Sequence, residues 1–262
     1  MQLVFVEQTL TAGQLVTLTA DHYQHVIQVL RQKAGDELEI VGTDQQGFCG
    51  EIKTITTEEK SFTVQLAETP LVNTELPVQA EVICGLPKRE KTELIVQKAT
   101  ELGASKIIFF AGQRSIMRWR PEQVGKKLAR LQQIATSAAE QSHRRQIPEV
   151  LYWPNLLKSL PAGTHNLVAY EEVVKGQRDT ELGRQLSSLQ QALYTEQTIE
   201  QQPVVRTIFG PEGGLTVAEV EQLQQQGVHC IGLGPRILRT ETAPLYFLSS
   251  LSYAIEVEAF TK

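Results

Sequence analysis

The sequence predicts an α/β protein: a small strand-rich segment, then an open parallel sheet whose strands alternate with helices. Three observations predict it. From Ala80 onward, short apolar runs alternate with stretches of helical period, which is how βα units read. Residues 1–69 instead string short alternating runs around a single helical stretch. Residues 204–260 read strand, tight loop, helix, strand, tight loop, helix. The two loops of that last stretch are expected at the C-terminal ends of two neighbouring strands, where open α/β sheets bind ligands.

Taken in order, Leu3–Val6 and Gln14–Leu18 are predicted strands. Asp21 is placed to N-cap a helix from His22 to Arg31, with Val26, Val29 and Leu30 facing inward. Glu37–Val41, Phe48–Thr56 and Ser61–Ala67 alternate as antiparallel strands do, with Asp44-Gln45-Gln46-Gly47 as the first hairpin turn. Residues 70–79 hold two prolines and little periodicity, and read as a linker. Beyond it come a strand at Ala80–Gly85, a helix at Glu90–Leu102 ended by Gly103, and a buried strand at Lys106–Phe110. Pro121 suits a helix start, and apolar spacing carries that helix to about Gln141. Asn166–Tyr170 is a further strand. Residues 176–202 are rich in Gln, Glu and Ser. Leu182, Leu186, Leu189 and Leu193 predict an exposed amphipathic helix there, with a loose tail.

In the last stretch Val204–Phe209 is a strand. Thr216-Val217-Ala218-Glu219 is a capping box that opens a helix, and Gly227 suits its end. Val228–Leu233 is a second strand, and a final helix carries Phe247, Leu248, Leu251, Tyr253 and Ile255. That helix is apolar on more than one side, which means either burial within one subunit or a homodimer interface. Thr242 before Ala243-Pro244 is its expected N-cap.

At 262 residues the chain is long enough for two modest domains, or one large one. A net charge of −5 argues against general affinity for nucleic acid, but charge is unevenly spread. Between Arg114 and Arg145 lie Arg118, Arg120, Lys126, Lys127, Arg130, His143 and Arg144, against Glu122 and Glu140. Cys49, Cys84 and Cys230 are scattered and outside any CxxC, which points to a reducing cytoplasm and no structural zinc. No apolar run is long enough to span a membrane, and no signal-peptide pattern opens the chain.

The two loops limit the ligand. Gly210-Pro211-Glu212-Gly213-Gly214 is glycine-rich but carries a glutamate and no lysine, the reverse of a P-loop. Gly232-x-Gly234 lacks the third glycine of a dinucleotide fingerprint. A ligand that is neutral or cationic at the contact point fits better. S-adenosylmethionine (SAM) carries a sulfonium, and its adenine and ribose need backbone hydrogen bonds more than charge.

Gly210–Gly214 together with Leu233–Ala243 (LGPRILRTETA) closely resemble the two C-terminal motifs of the SPOUT class of RNA methyltransferases. The resemblance is closest to the 16S ribosomal RNA methyltransferase E family, and it runs along nearly the whole chain. Lys88-x-x-Lys91-x-Glu93…Gln97-Lys98-x-x-Glu101-x-Gly103 resembles the family's first motif. Ala139-Glu140-Gln141-Ser142-x-Arg144 with Ile147-Pro148 resembles the middle one, and His22…Gly35-Asp36 resembles its N-terminal domain. One departure is that the family often has an Arg in its first few residues, where this chain reads Met1-Gln2-Leu3-Val4-Phe5.

The resemblance implies a PUA-like RNA-binding barrel over 1–69 and a SPOUT domain with a deep trefoil knot over 80–262. It implies a homodimer through the C-terminal domain, with no membrane and no metal. It also implies SAM-dependent methylation of N3 of the uridine at position 1498, in the usual count, of 16S rRNA in the assembled 30S subunit. SAM would be held by Phe209, Gly210, Pro211, Glu212, Gly213, Gly214, Leu233, Gly234, Ile237, Leu238, Arg239, Thr240, Thr242 and Ala243. RNA would meet His22, Arg31, Lys88, Arg114, Arg118, Arg144 and Arg145.

Uracil N3 carries a proton at neutral pH, so the acceptor must lose it, and the anion spreads onto O2 and O4. Arg236 and Arg239 are candidates to stabilise that anion, the plainer reading being solvated loop arginines. Glu241 and Glu140 are candidates for the proton, and no spacing argument selects one. Two other readings stay open: a non-catalytic RNA-binding module, and a sugar-nucleotide or dinucleotide enzyme of the Rossmann type.

Overall fold

A computed structural model describes residues 1–174, 181–195 and 202–257. Most of the loose tail expected before residue 202 lies outside the described residues. The chain divides into two compact units, Met1–Glu75 with Ala139–Gln146, and Leu76–Ala138 with Ile147–Lys262.

The first unit contains β1 (Gln2–Phe5), β2 (Leu15–Thr19), β3 (Glu37–Val41), β4 (Gly47–Thr56) and β5 (Ser61–Pro70). They form one five-stranded sheet in the order β1-β3-β4-β5-β2. β1 runs parallel to β3, and the other pairs are antiparallel. Alternation does the folding: Val16, Leu18, Leu38, Ile40, Ile52, Phe62, Val64 and Leu66 all turn into one core. At the predicted 44–47 turn, Gln45 adopts a left-handed φ of 61°. The Asp44 side chain accepts from Gln46 N there, which is why a short polar residue suits the position.

The expected helix at His22–Arg31 differs. α1 (Ala20–His22) passes into a π-helical turn over Tyr23–Val29, and the N-cap position falls on Thr19 rather than Asp21. Val26 is fully buried with Tyr23, while Val29 is 63% and Leu30 40% exposed. The wider winding, with Leu30 N reaching back to His25 O, rotates both residues off the stripe that an α-helical period assigns.

Ala139–Gln146 joins this unit through charge. The Arg144 guanidinium is buried against the Glu75 carboxylate, with Nε 3.1 Å from Oε2. Glu75 Oε1 also accepts from Arg145 N at 2.7 Å and Gln146 N at 3.2 Å. His143 Nδ1 lies 2.6 Å from Glu39 Oε2. Arg144 is only 3% exposed, so the expectation that it meets RNA phosphates is corrected: its charge is already matched inside the fold.

The second unit runs β6 (Gln79–Gly85), α2 (Arg89–Glu101), β7 (Ala104–Phe110), α3 (Pro121–Gln141), β8 (Glu149–Trp153), α4 (Leu156–Ser159) and β9 (His165–Ala169). A 3-10 turn at Glu171–Val174 follows. Then come α5 (Glu181–Thr195), β10 (Val204–Phe209), α6 (Val217–Gln225), β11 (His229–Ile231) and α7 (Thr242–Ser252), which passes into a π-helical turn to Val257. Six parallel strands form one sheet in the order β11-β9-β10-β6-β7-β8. β6 from Val82 and β7 from Ile107 are buried on both faces, which is why those stretches read as apolar runs. Val82, Cys84, Phe109 and Phe209 pack with residues of α2, α3, α5 and α7. Ile83, Ile108, Val168 and Ile208 pack with residues of α4 and α6.

Three further expectations change. β10 and β11 are not neighbours, because β9 lies between them. The stretch expected as a linker over 70–79 is divided: β5 runs through Pro70, while Leu76 and Val78 are buried in the second core. The N-cap of α7 is Glu241, not Thr242, because Arg239 O accepts from both Thr242 N and Ala243 N and starts the turn one residue early.

Two expected outcomes follow from the first unit. Arg144→Leu strands the Glu75 carboxylate and should cost about 3–5 kcal/mol in denaturant unfolding, toward the low end because Glu75 keeps its backbone donors. A loss no larger than a surface change, about 0.5 kcal/mol, would show the pair idle. Burial raises the Glu140 carboxyl above its usual range, and the charges of His25 and His22 pull it back in part. A carboxyl raised by folding favours the folded state below its ordinary pKa, and that contribution is lost as pH rises through the raised value. Glu140→Gln should therefore gain stability relative to the parent as pH rises from about 4, then level off. A gap that is flat with pH would count against this.

Candidate active site

The C-terminal ends of β9, β10 and β11 open into a cavity of about 780 Å³. Its walls are the two glycine-bearing loops, residues 210–215 and 233–240, with Ala169, Tyr170 and Glu171 from the end of β9 and Lys91 from α2. Tyr170 N donates to Ile231 O at 3.1 Å, which ties the end of β9 to that of β11.

The first loop is tight for local reasons. Gly214 N donates to Pro211 O at 2.8 Å, and Gly214 sits at φ 69°, where a β-carbon is strained. Gly85, at the end of β6, lets this loop come close: a Cβ there would lie 2.3 Å from Pro211 N. A Cβ on Gly213 would meet Arg114 Cβ and O at 3.0 Å, so a substituent at Gly213 presses on the segment after β7. That segment grips the loop in return. Arg114 Nη1 donates to Gly213 O at 3.3 Å and Leu215 O at 3.4 Å. Glu219 completes the predicted capping box with Thr216, and its other oxygen accepts from Gln113 N at 2.9 Å. In the second loop Gly234 takes φ 83°.

The site's charges are arranged in pairs. Lys91 Nζ lies 2.9 Å from Glu241 Oε2 and 3.6 Å from Glu212 Oε1. Glu212 Oε1 also accepts from Lys88 N at 3.2 Å. Burial would raise the Glu241 carboxyl, but its hydrogen bonds with Lys91 and the backbone, with the charges of Lys91 and Arg239, outweigh this and hold it below the usual range. A carboxylate held below its usual range is a weaker proton acceptor than a free one. Among the described residues no three His, Cys, Asp or Glu side chains converge so as to hold a metal ion.

Of the residues expected to hold the cofactor, Phe209, Gly210, Pro211, Glu212, Gly213, Gly214, Leu233, Gly234, Ile237, Leu238, Arg239, Thr240 and Ala243 all line this cavity, as does Arg236. Thr242 and Glu241 do not. Arg236 and Arg239 are exposed on its rim, and Ile237 between them is 84% exposed. Glu140 belongs to the first compact unit and is not part of the lining. Of the RNA candidates, Arg31, Lys88, Arg114 and Arg118 are exposed, Arg145 is half-buried, and His22 Nε2 is occupied by Phe5 O at 2.8 Å. Sequence reasoning missed Tyr170, Glu171 and Lys91. The first two enter only because β9 lies between β10 and β11, which no local pattern reveals. Lys91 stood inside a quoted motif without a role.

The donor set fits an adenosyl sulfonium. Glycine backbone lies on two sides, Phe209, Leu233, Leu238 and Ala243 offer apolar surface, and the carboxylates of Glu212 and Glu171 disfavour a phosphate.

The RNA methyltransferase domain family matches residues 74–252. The ribosomal RNA small subunit methyltransferase E of Bacillus subtilis is 38% identical over 264 residues, covering 98% of each chain. That of Synechocystis is 32% identical, covering 92% of this chain and 74% of its own. A Legionella pneumophila protein described as a methyltransferase, solved with bound SAM, superposes with a TM-score of 0.74 at 29% identity, covering 96% of this chain and 97% of its own. The chain therefore belongs to the ribosomal RNA small subunit methyltransferase E family of RNA methyltransferases.

Proposed function

We propose that this chain methylates N3 of one uridine of 16S rRNA, position 1498 in the usual count, in the assembled 30S subunit, using SAM held between its two glycine-bearing loops. The observation that carries the reading is one cavity walled by both loops, with carboxylates in place of a phosphate-binding lysine and two arginines on its rim. The Bacillus subtilis relative, a ribosomal RNA small subunit methyltransferase similar over 98% of its length, supports small-subunit rRNA as the substrate. The Legionella pneumophila structure with bound SAM supports the cofactor.

SAM, when bound, supplies an electrophilic methyl group. The chain's residues do the rest. The loops would hold the donor still for an acceptor nitrogen at the rim, and such positioning supplies much of the rate of a displacement. Glu212 and Glu171 place negative charge on a cavity suited to a cation. Arg236 and Arg239, exposed at the mouth, would hold the O2 and O4 charge of a uracil whose N3 proton is lost to solvent there.

In this reading residues 1–69 are a PUA-like RNA-binding domain, and residues 80–262 are a SPOUT domain with a deep trefoil knot. The knot is what the family resemblance implies, and α7, which packs against α2, β6 and β10, would be its threaded helix. The enzyme works as a homodimer in the cytoplasm. Phe247, Leu248, Leu251 and Ile255 are consumed by the core, while Tyr246, Tyr253 and Val257 stay exposed and supply an apolar face for a second copy. Arg31, Lys88, Arg114, Arg118 and Arg145 are the remaining candidates for RNA phosphates.

Mass spectrometry of 16S rRNA from a strain lacking this protein should show one methyl group missing, restored by the cloned chain. An unchanged methylation pattern would refute the assignment. Arg239→Ala should lower turnover by about 10²-fold with SAM affinity, read by calorimetry, little changed. Equal losses in both would move Arg239 from the uracil to the cofactor.

A further inference from the structure

We infer that the first turn of α2 is a socket that sets the spacing of the two cofactor loops, with Lys91 as its positioning residue. The sheet fixes only the strand ends: β10 and β11, which lead into the loops, each pair with β9 and share no ladder, so the sheet does not join the loops themselves. The loops instead each send one carboxylate to the same turn of a third element. Glu212 of the first loop accepts from Lys88 N at 3.2 Å, at the N-cap position of α2. There the helix's partial positive charge favours an anion. Glu241, which closes the second loop and precedes α7, takes the Lys91 ammonium at 2.9 Å. The same ammonium lies 3.6 Å from Glu212.

The spacing Lys88-x-x-Lys91 puts the backbone donor and the ammonium on one helical turn. The three side chains are largely shielded, at 25% exposure for Lys91, 22% for Glu212 and 16% for Glu241, so water screens them only in part. α7 packs on α2 as well, which holds Glu241 over the socket. Without Lys91 the two carboxylates would lose the ammonium they share, Glu212 keeping only Lys88 N and Glu241 its backbone bond and the Arg239 charge, and the loops would part. Lys91 lines the cavity but is already engaged by the chain's own carboxylates, so its effect on the reaction passes through the loops.

The effect on turnover rests on the cavity being the SAM site, whereas the socket itself can be read without ligand. In the full chain, Lys91→Met should speed amide hydrogen exchange about tenfold or more in both 210–214 and 233–241, leaving 81–84 and 106–109 unchanged. Lys91→Arg should restore most of the protection. SAM affinity by calorimetry should fall in parallel and recover with Arg. Glu241→Gln, a milder change, should loosen 233–241 alone. Loosening of one loop or neither in Lys91→Met would overturn the socket, as would lost SAM affinity with unchanged exchange. Loosening of both loops in a protein whose parent form binds no SAM would keep the socket and refute the cofactor reading.

Discussion

Strand order is the constraint on which the site depends. Because β9 is inserted between β10 and β11, the two glycine-bearing loops stand a full strand apart. That separation makes room for a ligand between them and brings Ala169, Tyr170 and Glu171 into its wall. It also denies the loops any direct main-chain connection, so their geometry depends on neighbours. Arg114 and Gln113 hold the first loop and the helix after it from one side. The first turn of α2 takes a carboxylate from each loop. Gly85 permits the closest approach, backbone against Pro211.

The charges follow from the ligand these loops must hold. A phosphate-binding loop points backbone N–H groups and a lysine at its ligand. Here Glu212 and Glu171 face the cavity, and Lys91 is occupied by Glu212 and Glu241. The exposed positive charge lies outward, at Arg236 and Arg239 on the rim. An acidic wall and a basic mouth suit a cationic donor inside and an anionic acceptor outside. The net charge of −5 is therefore no obstacle to acting on RNA, since what the RNA meets is local.

Much of the architecture was legible where local rules govern. β3 begins and ends where its alternation does, β10 where its β-branched run does, and α3 spans Pro121–Gln141 as its apolar stripe requires. The Thr216–Glu219 capping box forms as written. Legibility failed where the backbone departs from a standard period or where partners come from afar. The π-helical turn at Tyr23–Val29 left Val29 and Leu30 exposed against the stripe. β8 and α4 were not anticipated, since Glu149–Trp153 is a half-buried edge strand with a mixed pattern. Arg144 read as a surface charge because nothing near it in the chain announces Glu75, 69 residues away.

The sequence by itself determined most of the strands and helices, which backbone positions need glycine, and a first loop with a glutamate where a phosphate site has a lysine. Those are properties of neighbouring residues, decided within a turn or a hairpin. Only the tertiary structure decided that β9 parts the two loops, that Lys91 answers both glutamates, and that Arg144 is buried rather than offered to RNA. Each of these depends on which distant segments the sheet and the packed helices bring together, and charge pairing over such separations leaves no periodic trace in the chain.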